Sequence, residues 1–170
     1  APGHFILDLT HGIYNYDGKN VWCFLRVEND TLLTGYKQTN GWGRTRTVYF
    51  AIATSVPLSA YQIKDFKPSM YKGFWRKFDT EHQFAEGAGE GLKAALFFGE
   101  AKEVEFRVAL SGVSIEGALL NLQTEAPKSG FSAYYSAAQE QWNEAFSVVQ
   151  DANFLHLDDQ INFYTAWYHS

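Results

Sequence analysis

Cysteine is almost missing from this chain: Cys23 stands alone in 170 residues. One thiol closes no internal disulfide, so the count carries no information about redox compartment. Flanked by Trp22 and Phe24 in a β-rich run, Cys23 reads as an inert packing residue rather than a reactive thiol. Long apolar runs are missing as well. No stretch approaches the roughly 18 residues needed to span a membrane as a helix. No signal-peptide pattern opens the chain, which begins with Ala1 instead of Met, as after processing or excision from a longer polypeptide. Cations are the minority charge, 14 Lys and Arg against 19 Asp and Glu, giving a net charge of −5. That balance argues against a nucleic-acid partner, which needs clustered Lys and Arg. Uncharged ligands, neutral sugars among them, remain compatible.

The common catalytic signatures are absent too. His4, His11, His82, His156 and His169 are scattered, and no HExxH, CxxC or other metal-ligand spacing occurs, so no metal site is assigned. No G-x-S-x-G elbow or Walker loop is present. The glycines after Glu86 follow the spacing G-x-G-x-G and lead into a strand, so they read as a tight or flexible β-connection, not a dinucleotide fingerprint. Asn29-Asp30-Thr31 matches a glycosylation sequon, but it falls in an expected hairpin turn.

What the chain does have is apolar and aromatic material, 46% and 17% of its residues, enough to build a core in one domain or one domain with the start of another. The first half alternates and turns repeatedly. His4 to Leu9 is a strand candidate, Asp17-Gly18 a two-residue hairpin signal, and Val21 to Val27 a run dense in β-formers. Asn29-Asp30 marks a further turn before residues 31–39. Asn40-Gly41-Trp42-Gly43 breaks the pattern, and residues 47–56 resume it with Val48, Phe50, Ile52 and Thr54 on one side. Residues 57–92 are less regular, with short segments at 60–66 and 70–78. Residues 93–98 and 103–112 follow, the latter with Val104, Phe106, Val108 and Leu110 on a core face and Glu103, Glu105 and Arg107 toward water. Turns every eight to twelve residues or so predict an antiparallel sandwich or barrel, with no helix required before residue 112.

After Ser114, a plausible N-cap, the period becomes helical. Ile115, Ala118, Leu119 and Leu122 share a face and Pro127 ends the segment. Residues 132–149 make a longer helix striped with Tyr135, Ala138, Trp142, Ala145 and Val149. A last helix starts at Asp158, read as its N-cap, with Asp159 beside the positive end of the dipole. It is apolar nearly all round, which predicts burial on several sides. It carries no stop signal, so the chain reads as part of something larger, continuing past residue 170. Asp158 and Asp159 are adjacent on a helix start. That placement does not suit an inverting pair of carboxyls, which stand roughly 6.5–9.5 Å apart across a scissile bond.

Two residues are candidate ligand contacts. Trp42 lies between Asn40-Gly41 and Gly43 with little to pack on locally, so it either caps the sheet or offers a flat apolar face to a sugar ring. His169 follows Trp167-Tyr168 on the last helix and is either a hydrogen-bonded interface residue or a substrate contact. Trp22, Trp75, Trp142 and Trp167 sit in periodic segments and read as core or interface residues. No residue is assigned a catalytic role.

The octapeptide at residues 163–170, FYTAWYHS, resembles the F-Y-T-A-L-Y-H-[ST] signature of glycoside hydrolase family 92, departing only at Trp167. Four further segments agree in order. ILDLTHG at residues 6–12 is similar to the family's I-L-I-D-L-x-H-G. Leu33-Thr34-Gly35-Tyr36 with Gly41-Trp42 and Val48-Tyr49-Phe50 resembles its I-x-G-Y-R-x-S-x-G-W…V-Y-F. Residues 108–122 resemble V-x-I-S-x-V-S-x-E-x-A-x-x-N-L, and Ala138 to Trp142 its A-x-x-x-W helix.

The resemblance implies a calcium-dependent exo-α-mannosidase of bacteria that acts by inversion, in a periplasmic, cell-surface or secreted setting and in N-glycan degradation. It implies an antiparallel β-sandwich of the galactose-mutarotase-like supersandwich type, followed by linker helices and an (α/α)6 barrel, with sugar bound between the two parts. On that map residues 1–126 are sandwich, including a short helix at 115–124. Residues 127–157 are linker, and 158–170 the first helix of a truncated barrel. The acid, the base and the Ca²⁺ ligands are expected outside this segment, which contributes structure and a rim of the sugar pocket. Expected partners are a mannose-containing glycan and either the remainder of the same enzyme or further copies through exposed edges. The competing reading is a non-catalytic carbohydrate-binding β-sandwich module.

Overall fold

The structure is a computed structural model that describes residues 3–14, 16–67, 84–127, 130–149 and 154–169. The expected segment at 70–78, with Trp75, lies outside the described residues. The chain divides into two compact units, residues 1–128 and 129–170.

The first unit is mainly antiparallel β. Its strands are β1 His4–Asp8, β2 Asn20–Asn29, β3 Leu32–Thr39, β4 Arg46–Thr54, β5 Ala60–Asp65, β6 Glu86–Gly89, β7 Leu92–Phe97 and β8 Phe106–Ser111. They form a three-stranded sheet, β1-β7-β5, and a five-stranded sheet, β6-β2-β3-β4-β8. The two inner faces enclose one core. Cys23, Leu25 and Val27 of β2, Leu33 of β3, and Phe50 and Ile52 of β4 meet Leu92, Ala94 and Leu96 of β7 with Leu9 and Phe98. Period-two patterning puts these residues on one side of each strand. Fully burying a leucine such as Leu25, Leu33 or Leu96 stabilises the fold by about 1.5–3 kcal/mol each. The fold class expected from the sequence, antiparallel β-sheets followed by helices, is the one observed.

Helix α1, Ile115–Glu125, covers part of the outer face of the larger sheet. Its N-cap is Ser114, whose hydroxyl accepts from the Gly117 backbone N–H at 3.0 Å. Ala118 and Leu122 pack on Ala51, Ala53 and Ala109. Alanines at those strand positions leave room for the helix to approach closely. Strand β4 is therefore buried on both faces, Phe50 and Ile52 inward and Ala51 and Ala53 under α1.

Four local expectations are corrected. Asp17-Gly18 is a turn, with Gly18 at φ 79° and the Lys19 N–H donating to Tyr16 O at 3.0 Å. It closes no hairpin, however, because β1 pairs with β7 and β2 with β3 and β6. The glycine run after Glu86 is not a loop: Glu86–Gly89 is strand β6, and the turn follows at Glu90-Gly91. Its glycines are needed because β5 crosses against them. A Cβ on Gly87 would collide with the Ile63 side chain, and one on Gly89 with the Asp65 carboxylate. Val108 and Leu110 do not face a core, being 55% and 58% exposed. They are in register with Ile52 and Phe50, yet β8 is the edge of a five-stranded sheet whose partner sheet has three strands and leaves that margin uncovered. Finally, Asp158 is not an N-cap, as the second unit shows.

That unit contains α2, Phe131–Phe146, a 3-10 turn at Ser147–Val149, and α3, Leu157–Tyr168. Helix α3 begins one residue before Asp158, with His156 as N-cap and no side-chain cap bond. Asp158 and Asp159 thus lie in its first turn, where negative charge suits the dipole. Aromatic contacts dominate here: Trp142 with Phe146 and Tyr168 at 5.4 and 4.8 Å, and Phe146 with Tyr164 at 5.4 Å. Within this chain no residue of α2 or α3 is buried, because two helices cannot cover the apolar faces of α3. These 170 residues thus leave exposed the apolar face for which the sequence predicts further partners. Of the core-or-interface reading, the core part does not hold within this chain for Trp22, Trp142 and Trp167, which are exposed, while Trp142 packs on Tyr168 between α2 and α3.

Candidate functional site

The exposed aromatic side chains of the first unit concentrate where β2 begins, β3 ends and β4 begins. The registers Asn20↔Thr39 and Thr39↔Arg46 set those three strand ends side by side. Two loops project from them, residues 9–19 and 40–45. Asn40 ties the loops together. Its backbone N–H donates to Lys19 O at 2.9 Å and its side-chain amide to Gly18 O at 3.0 Å, while the Tyr16 hydroxyl lies 3.4 Å from Asn40 O. Thr45 Oγ1 donates to Asn40 Oδ1 at 3.3 Å, closing the second loop on itself.

Trp42 stands at the tip of that loop, 110% exposed relative to a reference Trp. It caps no sheet. Within the described residues it is therefore not packed against the sheet. A fully wetted indole on a braced loop is an apolar plate ready to cover the C–H face of a sugar ring or another flat ligand. Tyr14 and Tyr16 on the neighbouring loop are 74% and 54% exposed, and Lys19 Nζ lies 5.4 Å from the Tyr16 ring centroid. Sequence reasoning passed over both tyrosines, because a hairpin at Asp17-Gly18 would have placed them in a strand. The signal was three large apolar side chains, Ile13, Tyr14 and Tyr16, ahead of a turn.

Polar anchors hold the base of the first loop. The Asp8 carboxylate accepts from Lys93 Nζ at 2.9 Å and from the Thr10 N–H and hydroxyl at 2.8 and 2.6 Å. Burial pushes this carboxyl up, but those hydrogen bonds and the Lys93 charge outweigh it and bring the pKa from 3.8 down to about 2. The Lys37 ammonium donates to the His11 carbonyl. Cys23 is inaccessible beneath this end, its Sγ 3.5 Å from Leu9 O and 3.3 Å from the Asn20 amide, and burial raises the thiol above its ordinary pKa. It packs, as the sequence suggested. In the presumed sequon the Asn29 side-chain oxygen accepts from the Thr31 N–H and hydroxyl, a local turn.

His169 belongs to the second unit. It is the C-cap of α3, its backbone N–H donating to Thr165 O and Ala166 O at 3.3 and 3.2 Å and its exposed ring edge-on to Tyr168 at 5.2 Å. Among the described residues no group of three or more His, Cys, Asp or Glu side chains converges as a metal site would require. No helix among them is long and apolar enough to cross a membrane.

The family model described as the glycosyl hydrolase family 92 N-terminal domain matches residues 1–111, and the model of that family's catalytic domain matches residues 117–170. Among solved structures the chain is similar to a family GH92 alpha-mannosidase from Bacteroides thetaiotaomicron, with 28% identity and a TM-score of 0.67. That match covers 83% of this chain and 18% of the other, and the same alpha-mannosidase in complex with mannoimidazole gives the same values. A family GH92 inverting mannosidase from Bacteroides thetaiotaomicron VPI-5482 shares the fold at 21% identity and TM-score 0.61, covering 83% of this chain and 17% of its own. No curated protein matches the chain. It spans less than a fifth of the length of these solved structures. With one domain model matching well over half of its residues and a second matching the stretch that follows, the chain belongs to glycosyl hydrolase family 92.

Proposed function

We propose that the chain is part of an enzyme that removes terminal α-linked mannose from glycans by an inverting, calcium-assisted hydrolysis, and that this segment acts as scaffold and as a rim of the sugar site. The family match over residues 1–111 and 117–170 carries this reading. The likeness to an alpha-mannosidase also solved with mannoimidazole supports mannose as the sugar.

On this reading Trp42 and His169 contact substrate, Trp42 by stacking and His169 by hydrogen bonding, and residues 158–170 form the first helix of the (α/α)6 barrel within the stretch that the catalytic-domain model matches. Inversion needs one carboxylic acid to protonate the leaving oxygen and one carboxylate to activate water on the opposite face, roughly 6.5–9.5 Å apart. No carboxylate of this chain is assigned either role. Calcium, which would help distort the mannose ring, finds no three-ligand cluster among the described residues. The partners proposed are a mannose-containing glycan and either the rest of the same enzyme or further copies of the chain.

Hydrolysis of an α-linked mannobiose tests the proposal, measured on these 170 residues and on a protein of the solved relatives' full length that contains them, with calcium and then with chelator. The expected result is release of β-configured mannose by the long protein only, lost on chelation. Chelator-sensitive turnover by the 170 residues alone would place the catalytic carboxylates in this chain and overturn the assignment.

A further inference from the structure

We propose that Asn40 is a site of spontaneous covalent modification. Its side chain closes on the Gly41 backbone nitrogen to a succinimide, which water opens to aspartate and isoaspartate, and the change unties the two loops. Lys19 and Thr45 ease the ring closure. This goes beyond the mannosidase reading and does not depend on it.

Ring closure is favoured where the residue after the asparagine has no side chain to obstruct the attack. The chain holds one Asn-Gly step, Asn40-Gly41, and one Asp-Gly step, Asp17-Gly18, which reacts through the same ring. The structure sets the two steps side by side, the Asn40 amide donating to Gly18 O at 3.0 Å. Gly41 is exposed, and its N–H donates to Gly43 O over a long 3.3 Å. Thr45 Oγ1 donates to Asn40 Oδ1 at 3.3 Å, which draws electrons from Cγ, the atom attacked. Lys19 Nζ lies 3.4 Å from where a Cβ on Gly41 would stand. A cation therefore sits beside the amide that must lose its proton. Asn20 and Asn121 are also hydrogen-bonded, to Glu90 O and Leu110 O, but Val21 and Leu122 follow them and obstruct the same attack.

In the first step the Gly41 nitrogen bonds to Asn40 Cγ, the Cγ–Nδ2 bond breaks, and ammonia leaves with the Gly41 proton. Water then adds to one of the two ring carbonyls and breaks its bond to nitrogen. Opening at Cγ gives aspartate, and opening at the backbone carbonyl gives isoaspartate, whose main chain runs through Cβ. Water is the sole co-reactant. A carboxylate only accepts hydrogen bonds, so the Gly18 carbonyl loses its donor and faces a negative oxygen instead. The extra main-chain carbon of isoaspartate also displaces the Asn40 N–H from Lys19 O, its partner at 2.9 Å. Trp42, two residues along, then loses its braced base.

Peptide mapping of the chain after incubation in mildly alkaline buffer tests this. The peptide holding Asn40 should gain the mass of an amide-to-acid exchange and split into two species of equal mass, while Asn20 and Asn121 keep their amides. G41A should bring Asn40 down to the level of those two. Alanine fits there, since Gly41 is not at positive φ and its added Cβ would meet only the end of the Lys19 side chain. An unchanged thermal midpoint confirms the fold. K19Q should slow conversion about threefold at low salt, with the difference narrowing as salt screens the charge. In N40D and in the converted chain, amide hydrogens of residues 16–19 and 40–45 should exchange about fivefold faster, the factor one lost hydrogen bond gives. Conversion at Asn40 no faster than at Asn20 and Asn121, or indifference to G41A or to K19Q, would overturn the proposal, and so would loops that exchange as before once Asn40 has converted.

Discussion

At the scale of single residues, the loop end depends on Asp8. Its carboxyl is held at about pKa 2, below its ordinary 3.8, mainly because Lys93 and Thr10 hydrogen-bond the ionised form against the opposing effect of burial. A group depressed in the folded state adds stability above its unfolded pKa and loses it as pH falls through the folded value. The Asp8 contribution should therefore be complete above about pH 5 and fade between pH 4 and 2. Because the pair is about one-third exposed, solvent screens it. D8N should cost about 0.5–1 kcal/mol at neutral pH and almost nothing near pH 2. Urea denaturation of both proteins across that range checks the sign. A difference that grows on acidification would contradict the assignment.

Among secondary-structure elements, the larger sheet depends on close approach as much as on hydrophobic patterning. Gly35 of β3 sits opposite Phe50 of β4. A Cβ there would meet Phe50 Cζ at 2.6 Å and run into the Phe24 carbonyl oxygen on the other side. Neither obstacle is a free side-chain end, since one is backbone and the other a buried ring. G35A should destabilise the chain by about 1–3 kcal/mol, the usual cost of overpacking, read as a lower urea midpoint at unchanged slope. Strand existence and the Ser114 cap were legible in the sequence, because alternation and an N-cap serine are local signals. Strand partnership was not. Whether Asp17-Gly18 closes a hairpin depends on which sheet β1 joins, and that is decided by β7, more than eighty residues away.

For the whole molecule, the apolar surface left in water points to association. Val108 and Leu110 on the β8 edge are more than half exposed, and Ile161 and Tyr168 on α3 are exposed too. Exposed strand edges and apolar patches recruit partners. Sedimentation velocity should show the average mass rising with concentration, and V108K/L110K should reduce that rise without lowering the thermal midpoint, since neither side chain is buried. A concentration-independent monomer would contradict this. The candidate site shows the same division between local and global signals. Trp42 could be picked out because glycines and Asn40 surround it, and the octapeptide at 163–170 pointed to the family. Tyr14 and Tyr16 could not be grouped with Trp42, because nothing local in the chain says that the loops before β2 and after β3 share one end of a sandwich.

The sequence by itself determined the order of strands then helices, the burial of Cys23 and the family, since each rests on periodicity or on a contiguous motif. Only the tertiary structure decided which strands pair, which apolar faces remain uncovered, and which loops meet. Those properties depend on contacts between residues far apart in the chain. The unequal widths of the two sheets leave Val108 and Leu110 in water, although their alternation matches that of any core strand. The hydrogen bonds from Asn40 to Lys19 and Gly18 bring Trp42 to the same end of the sheet as Tyr14 and Tyr16.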